Sequence, residues 1–209
     1  SLRIAPGNFG RHLNAIFKAG VVAKRMRVLQ LANSGPNARD ILKLQDIFPN
    51  LETLAIDCSA TAAKALAELS LPKLRRLELG DFKLTPAIVK ALFRAPWFDQ
   101  LETLNLRDLI VTDEAIAELA KLVEGRSMKL RVLDLGQIET AAARSMADSD
   151  AFSNLEFLGF SMDPVGKPTL RRVKMKYGPT YDGQWPVVSQ SLGGWVPEFF
   201  VRHPFGGIV

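Results

Sequence analysis

The chain has one cysteine, Cys58, and two histidines, His12 and His203. A single thiol excludes an intrachain disulfide framework, and two distant histidines exclude a Cys/His zinc site. Both suit a reducing compartment, so the cytoplasm is the expected location. No apolar run is long enough to span a membrane, and no basic start is followed by an apolar signal segment, so no membrane partner is expected. Gly-rich phosphate loops, G-x-S-x-G and H-E-x-x-H are all missing. Cys58 has no histidine close in sequence to activate it as a nucleophile, and His12 is expected on the surface of a first helix. No catalytic residue, metal ligand or cofactor is therefore assigned, and an enzyme is not expected.

What is present is leucine at an unusual spacing. In "LRRLELGD" the residues Leu74, Leu77 and Leu79 are separated by three and then two. The pattern L-x-x-L-x-L recurs from Met26, Leu51, Leu74, Leu101, Leu130, Leu155 and, in a weaker copy, Leu170. The steps between these starts are 25, 23, 27, 29, 25 and 15 residues. "LRI" at Leu2, Arg3 and Ile4 fits the end of an earlier, truncated copy. Residues two apart point to the same side of a short strand. The first leucine tucks in where the chain bends towards that strand. Each unit then buries its apolar side against the next, so the strands stack in parallel.

Helical patterns fall between the strands. "TDEAIAELAKLVE" has Thr112 as N-cap, Asp113 and Glu114 in the first turn, and an apolar stripe of Ile116, Leu119, Ala120 and Val123. In "TPAIVKALFRA", Thr85 can cap and Pro86 occupies the first helical position, with Ile88, Leu92 and Ala95 inward. Ile41, Leu44 and Phe48 mark another helix, Ala63, Leu66 and Leu69 a shorter one, and Leu13, Ile16, Phe17 and Val21 the first.

Over residues 1–176 this pattern resembles leucine-rich repeat proteins, and among them the ribonuclease inhibitor-like subclass with a helical convex side. The resemblance implies an α/β solenoid of about seven strands, with a parallel concave sheet and convex helices. It also implies a protein-binding scaffold or adaptor. One departure stands out: the family's ninth-position Asn or Cys is replaced by Ser34, Ser59, Phe82, Leu109, Ile138 and Asp163. Apolar packing is expected to substitute for the missing polar ladder.

In such a stack the residues between the leucines are displayed on the concave face, about 30 Å long for seven strands and so of protein-epitope scale. The residues expected to carry partner binding are Arg76, Glu78, Thr103, Asn105, Arg107 and Asp134, with Phe157 as apolar anchor. Asp57, Asp81, Asp108 and Asp163 lie along the strand ends. They suit a cation or basic peptide, although aspartate favours turns in any case.

The net charge of +5 and pI near 9.5 permit an anionic partner without requiring one. Arg171, Arg172, Lys174 and Lys176, on the expected last strand, form the alternative site for RNA or DNA phosphates. Residues 177–209 change character, with six glycines, four prolines and seven aromatics. They are expected to cap the open end of the stack or to dock a partner through Trp195, Phe199 and Phe200. The primary expectation is a monomer, or a subunit of a larger complex, that binds another protein. A nucleic-acid binder, or the substrate-selecting part of a larger enzyme, stays open beside it.

Overall fold

The computed structural model describes residues 2–3, 15, 23–31, 35–106, 109–124, 126–138, 140–153, 155–161 and 167–177. They form an α/β structure built on a parallel sheet. The elements, in chain order, are β1 (Leu2–Arg3), β2 (Val28–Leu31), α1 (Ala38–Leu42), α2 (Leu44–Ile47), β3 (Thr53–Asp57), α3 (Ala60–Ala67), β4 (Arg76–Gly80) and β5 (Lys83–Leu84). There follow α4 (Pro86–Phe93), β6 (Thr103–Asn105), β7 (Ile110–Val111), α5 (Asp113–Val123), β8 (Val132–Gln137), α6 (Thr140–Asp148), β9 (Phe157–Ser161) and α7 (Lys167–Tyr177).

The main ladder runs β1-β2-β3-β4-β6-β8-β9, every pair parallel. The short strands β5 and β7 pair beyond the turns and join the sheet where Ile110 meets Gln137. Because the long strands are added in one direction, right-handed crossovers put the helices on one face. The helices also touch in sequence, from α1 through α3, α4, α5 and α6 to α7.

Register explains the leucine spacing. Leu29, Leu54, Leu77, Leu104, Leu133 and Leu158 are direct partners across six strands. All are buried, as are Leu31, Ile56, Leu79, Leu106, Leu135 and Phe160 two positions on. Each such side chain contributes roughly 1.5–3 kcal/mol on removal from water. The first-position leucines Leu51, Leu74, Leu101 and Leu130 are buried before their strands.

The helix ends follow local chemistry. Thr112 is extended, and its hydroxyl accepts from Ala115 N at 3.2 Å. Ser59 caps α3 in the same way, accepting from Ala62 N at 3.3 Å. Thr85 differs from expectation: Pro86 does take the first helical position, but the Thr85 side chain makes no cap bond. Asp113 has a second role, as its Oδ1 accepts from Ala142 N in the first turn of α6 at 3.1 Å. At the ninth positions Leu109 and Ile138 are buried and Phe82 packs on the core, so apolar side chains fill those places.

The stretch from Leu170 corrects the expectation of a seventh full strand. It lies inside α7, with Val173 buried and Met175 78% exposed. Its step of only 15 residues has no room for a helix and a strand, so it forms the helix that follows β9. The N-terminal helix expected around Leu13, Ile16, Phe17 and Val21 lies outside the described residues.

Candidate functional site

The strands that bury leucine on one face set two rows of mixed, mostly polar residues on the other. One row is Val28, Thr53, Arg76, Thr103, Val132 and Phe157, and the next is Gln30, Ala55, Glu78, Asn105, Asp134 and Gly159. The sheet therefore brings Arg76, Glu78, Thr103, Asn105, Asp134 and Phe157 together on four strands, as their spacing predicts. Arg107 lies outside the described residues.

Their exposure differs from the expected display. Only Arg76 and Phe157 are half-exposed, whereas Glu78, Thr103, Asn105 and Asp134 are buried. Thr103 sits between Arg76 and Val132 in its row and is 2% exposed. Asp134 is held locally, its Oδ1 accepting from Gly136 N at 3.2 Å. Gly159 makes room for it: a β carbon at Gly159 would lie 2.9 Å from Asp134 Cγ and 2.9 Å from Phe157 Cε1. Gln30, Asp57, Arg76, Glu78, Asn105, Asp134 and Phe157 each take part in at least one polar, ionic or ring interaction.

Of the strand-end acids, Asp57 is the buried last residue of β3, whereas Asp81 lies in the turn after β4. Asp81 has a left-handed φ of 73°, a conformation aspartate tolerates. Asp108 and Asp163 lie outside the described residues. Among the described residues no group of three His, Cys, Asp or Glu is placed to hold a metal. Asp57 and Asp81 flank Cys58, whose thiol is buried, and burial first and these two charges second push its pKa from 9.0 to about 12. It stays protonated at neutral pH, the opposite of an activated nucleophile.

The basic cluster is also re-sited. Arg171, Arg172, Lys174 and Lys176 fall on α7 rather than on the polar face, because their segment is helical. Arg172 pairs with Asp148, and Lys176 pairs with Asp150 at 2.8 Å while donating to Ala147 O at 3.3 Å. Arg171 is exposed. Trp195, Phe199 and Phe200 lie outside the described residues.

Two features escaped the sequence reading. At the second motif position, Arg27 pairs with Glu52, Arg75 with Glu102 at 2.7 Å, and Arg131 with Glu156 through two bonds of 2.6 Å. Comparing the second residue of each copy reveals this alternation: Arg27, Glu52, Arg75, Glu102, Arg131, Glu156. The backbone there repeats one device. The carbonyls of Arg27, Glu52, Arg75, Glu102 and Arg131 each accept two N–H groups from the following copy. The second feature is a cavity of about 440 Å³ between α5 and the turns before β8 and β9. Leu119, Val123, Met128 and Phe152 line it, with Arg126 and Asp150 at its polar side. Arg126 is engaged elsewhere, donating to Phe93 O at 2.7 Å and pairing with Asp99 at 2.6 Å. No signal short of the packed fold announces this space.

Among the described residues no helix is long and apolar enough to cross a membrane. No protein-family model matches this sequence, and no curated protein matches it.

Proposed function

We propose that this chain is a leucine-rich repeat protein, similar to the ribonuclease inhibitor-like subclass, and that it serves as a protein–protein recognition module. In this reading the leucine rows hold a solenoid and the polar rows form its concave contact surface, in a scaffold or adaptor rather than a catalyst. One observation carries the reading: two rows of residues, seven of the twelve polar, stand in register on the sheet face opposite the leucines. A face that served only stability has no need of Arg76, Glu78, Asn105 and Asp134 side by side. A parallel array of this width matches a protein epitope better than a small-molecule pocket. Arg76 and Phe157, the half-exposed members, are the residues a partner meets first.

The test is affinity capture from native extract, quantified by mass spectrometry, with the wild-type chain and Arg76→Glu/Phe157→Ala. Helix content by circular dichroism verifies folding. A protein held by the wild type and depleted at least about tenfold, roughly 1.4 kcal/mol, by the variant supports the reading. If every captured protein is kept equally by both chains, the polar face is not the contact surface. The phosphate-binding alternative is weakened by the carboxylates beside Arg172 and Lys176, which offset two of the four cations it relies on.

A further inference from the structure

The second motif positions form a row of charge along the edge where the chain enters each strand. In chain order it reads Arg27, Glu52, Arg75, Glu102, Arg131, Glu156, alternating in sign over six copies. The doubly bonded carbonyls from Arg27 to Arg131 hold these positions at the spacing of the strands, about 4.8 Å, so the row is about 24 Å long. Pairing within the chain does not bury it. The arginine side chains are 53% to 64% exposed and the glutamates 23% to 40%.

Turned end for end, such a row becomes its own complement. A two-fold axis between Arg75 and Glu102 sets Arg27 against Glu156 of a second copy, Glu52 against its Arg131 and Arg75 against its Glu102. All six contacts are then opposite in sign. Laid side by side in the same direction and register, the rows would bring like charges together. The turns that lead into the row follow the same polarity, which pairing within the chain does not require. These turns stack as the strands do: Asn50 Nδ2 donates to Lys24 O at 2.8 Å, Gln100 Nε2 to Leu71 O at 2.7 Å and Lys129 N to Asp99 O at 3.2 Å. Lys24 and Arg25 precede the copy that starts at Met26, and Asp150 precedes the one at Leu155. Lys73 precedes the copy at Leu74, and Asp99 the one at Leu101. All five are exposed. The same axis brings Lys24 and Arg25 to Asp150, and Lys73 to Asp99. Asp150 is 92% exposed and Asp99 55%, so each has room for a second cation beside Lys176 and Arg126. The remaining turns meet as Asn50 with Lys129, without a like-charge contact.

We propose that this charged edge is a homodimer interface, in which two chains related by a two-fold axis lay their rows against each other end for end. The occupant of the edge is thus a second copy of this chain, selected by charge order. Exposed ion pairs are weak singly and screened by salt, so the dimer depends on the whole row and dissociates at high ionic strength. Arg76 and the rest of the polar face are not part of this contact. One consequence rests on the reading of that face as a contact surface: the dimer offers two such surfaces and binds a multivalent partner with avidity.

The test is sedimentation velocity of the full chain over a dilution series reaching about 1 mM, where even a Kd of 1 mM is seen. In about 0.1 M salt the Debye length is about 10 Å, which damps the repulsion between two chains of net charge +5 but spares contacts within the row. A dimer is expected there, and a monomer in about 1 M salt, where that length is about 3 Å. Arg75→Glu brings carboxylates together on both sides of the axis, and Glu102→Arg brings guanidinium groups together. Each variant alone is expected to dimerise at least about tenfold more weakly, with circular dichroism unchanged. Mixed one to one they regain opposite charges across the axis and form a heterodimer. Arg75→Glu/Glu102→Arg in one chain keeps every contact opposite and dimerises like the wild type. A wild-type chain that stays monomeric in 0.1 M salt overturns the proposal. So does a dimer indifferent to salt or to both single variants, or a mixture no more associated than its components. No other protein enters this experiment, so its failure is distinct from a failure of the capture test.

Discussion

Gly159 gives the most direct test of how the polar face is packed. Alanine there adds one methyl group to a strand whose backbone at this residue is ordinary, so the substitution carries no conformational penalty. Away from any clash it would stabilise by roughly 0.5–1 kcal/mol, through the lost freedom of glycine in the unfolded chain. The clash reverses the sign. The new carbon would lie 2.9 Å from Asp134 Cγ, 2.9 Å from Phe157 Cε1 and 3.0 Å from Asp134 Oδ1. Unstrained carbon contacts lie at about 3.5–4.0 Å. The half-exposed Phe157 ring can swing away, but Asp134 is buried and tied to Gly136 N. Overpacking of this kind costs about 1–3 kcal/mol, so with that gain set against it the net loss for Gly159→Ala centres on about 1 kcal/mol. For a chain of this size that lowers Tm by about 2–4 °C, measured by circular dichroism during heating. Phe157→Ala in the same chain should recover little of the loss, since the immovable neighbour is Asp134, whereas Asp134→Ala/Gly159→Ala should show strong positive coupling. A Gly159→Ala chain as stable as the wild type would refute this account of the row.

Further outcomes follow from single contacts. Leu104→Ala, in the middle of the buried leucine row, should cost about 2–5 kcal/mol in urea unfolding; a loss well below that range would mean the row is loosely packed. Thr112→Ala removes the cap on α5 and should cost about 1 kcal/mol by the same measurement. Arg131→Glu puts three carboxylates in succession with Glu102 and Glu156. It should lower Tm at low salt, with the deficit shrinking in 1 M salt (Debye length about 3 Å). Cys58 should resist alkylation at pH 8 until denaturant is added. Because its folded pKa is raised from 9.0 to about 12, the unfolded chain gives up this proton first. Its contribution to stability is therefore complete below about pH 9 and is lost as pH rises towards 12. Cys58→Ala should remove that alkaline slope.

The sheet was legible in the sequence because one physical requirement writes itself repeatedly. Each of β2, β3, β4, β6, β8 and β9 buries two residues two apart at or beside its ladder, and the preceding bend buries a third wholly or in part, so Leu51, Leu54 and Ile56 or Leu101, Leu104 and Leu106 announce both a strand and its facing. The α5 helix was legible for the same kind of reason, as Thr112 and the stripe from Ile116 to Val123 each have a structural counterpart. The segment from Leu170 misled because an i, i+3 pair belongs equally to a helix and to the first half of the motif. Only its 15-residue step, against 23 to 29 elsewhere, distinguished the two. The burial of Glu78 was not legible at all. Strand alternation says which way a side chain points, but not what lies above it.

The positions divide into three sets under different constraints. Leucines at the first, fourth and sixth positions answer to the core. The second positions answer to one another: each Arg or Glu meets its opposite in an adjacent copy, and each carbonyl from Arg27 to Arg131 holds two amides of the next. That edge ties neighbouring copies together, while Leu109 and Ile138, beyond the strands, are buried apolar residues. The third and fifth positions answer to a further constraint, the packing of one side chain on the next across that face: Glu78, Thr103, Asn105 and Asp134 are buried there, and Gly159 leaves the space that Asp134 occupies. A buried carboxylate such as Glu78 has to be satisfied within the fold, and Glu78 does take part in at least one such interaction.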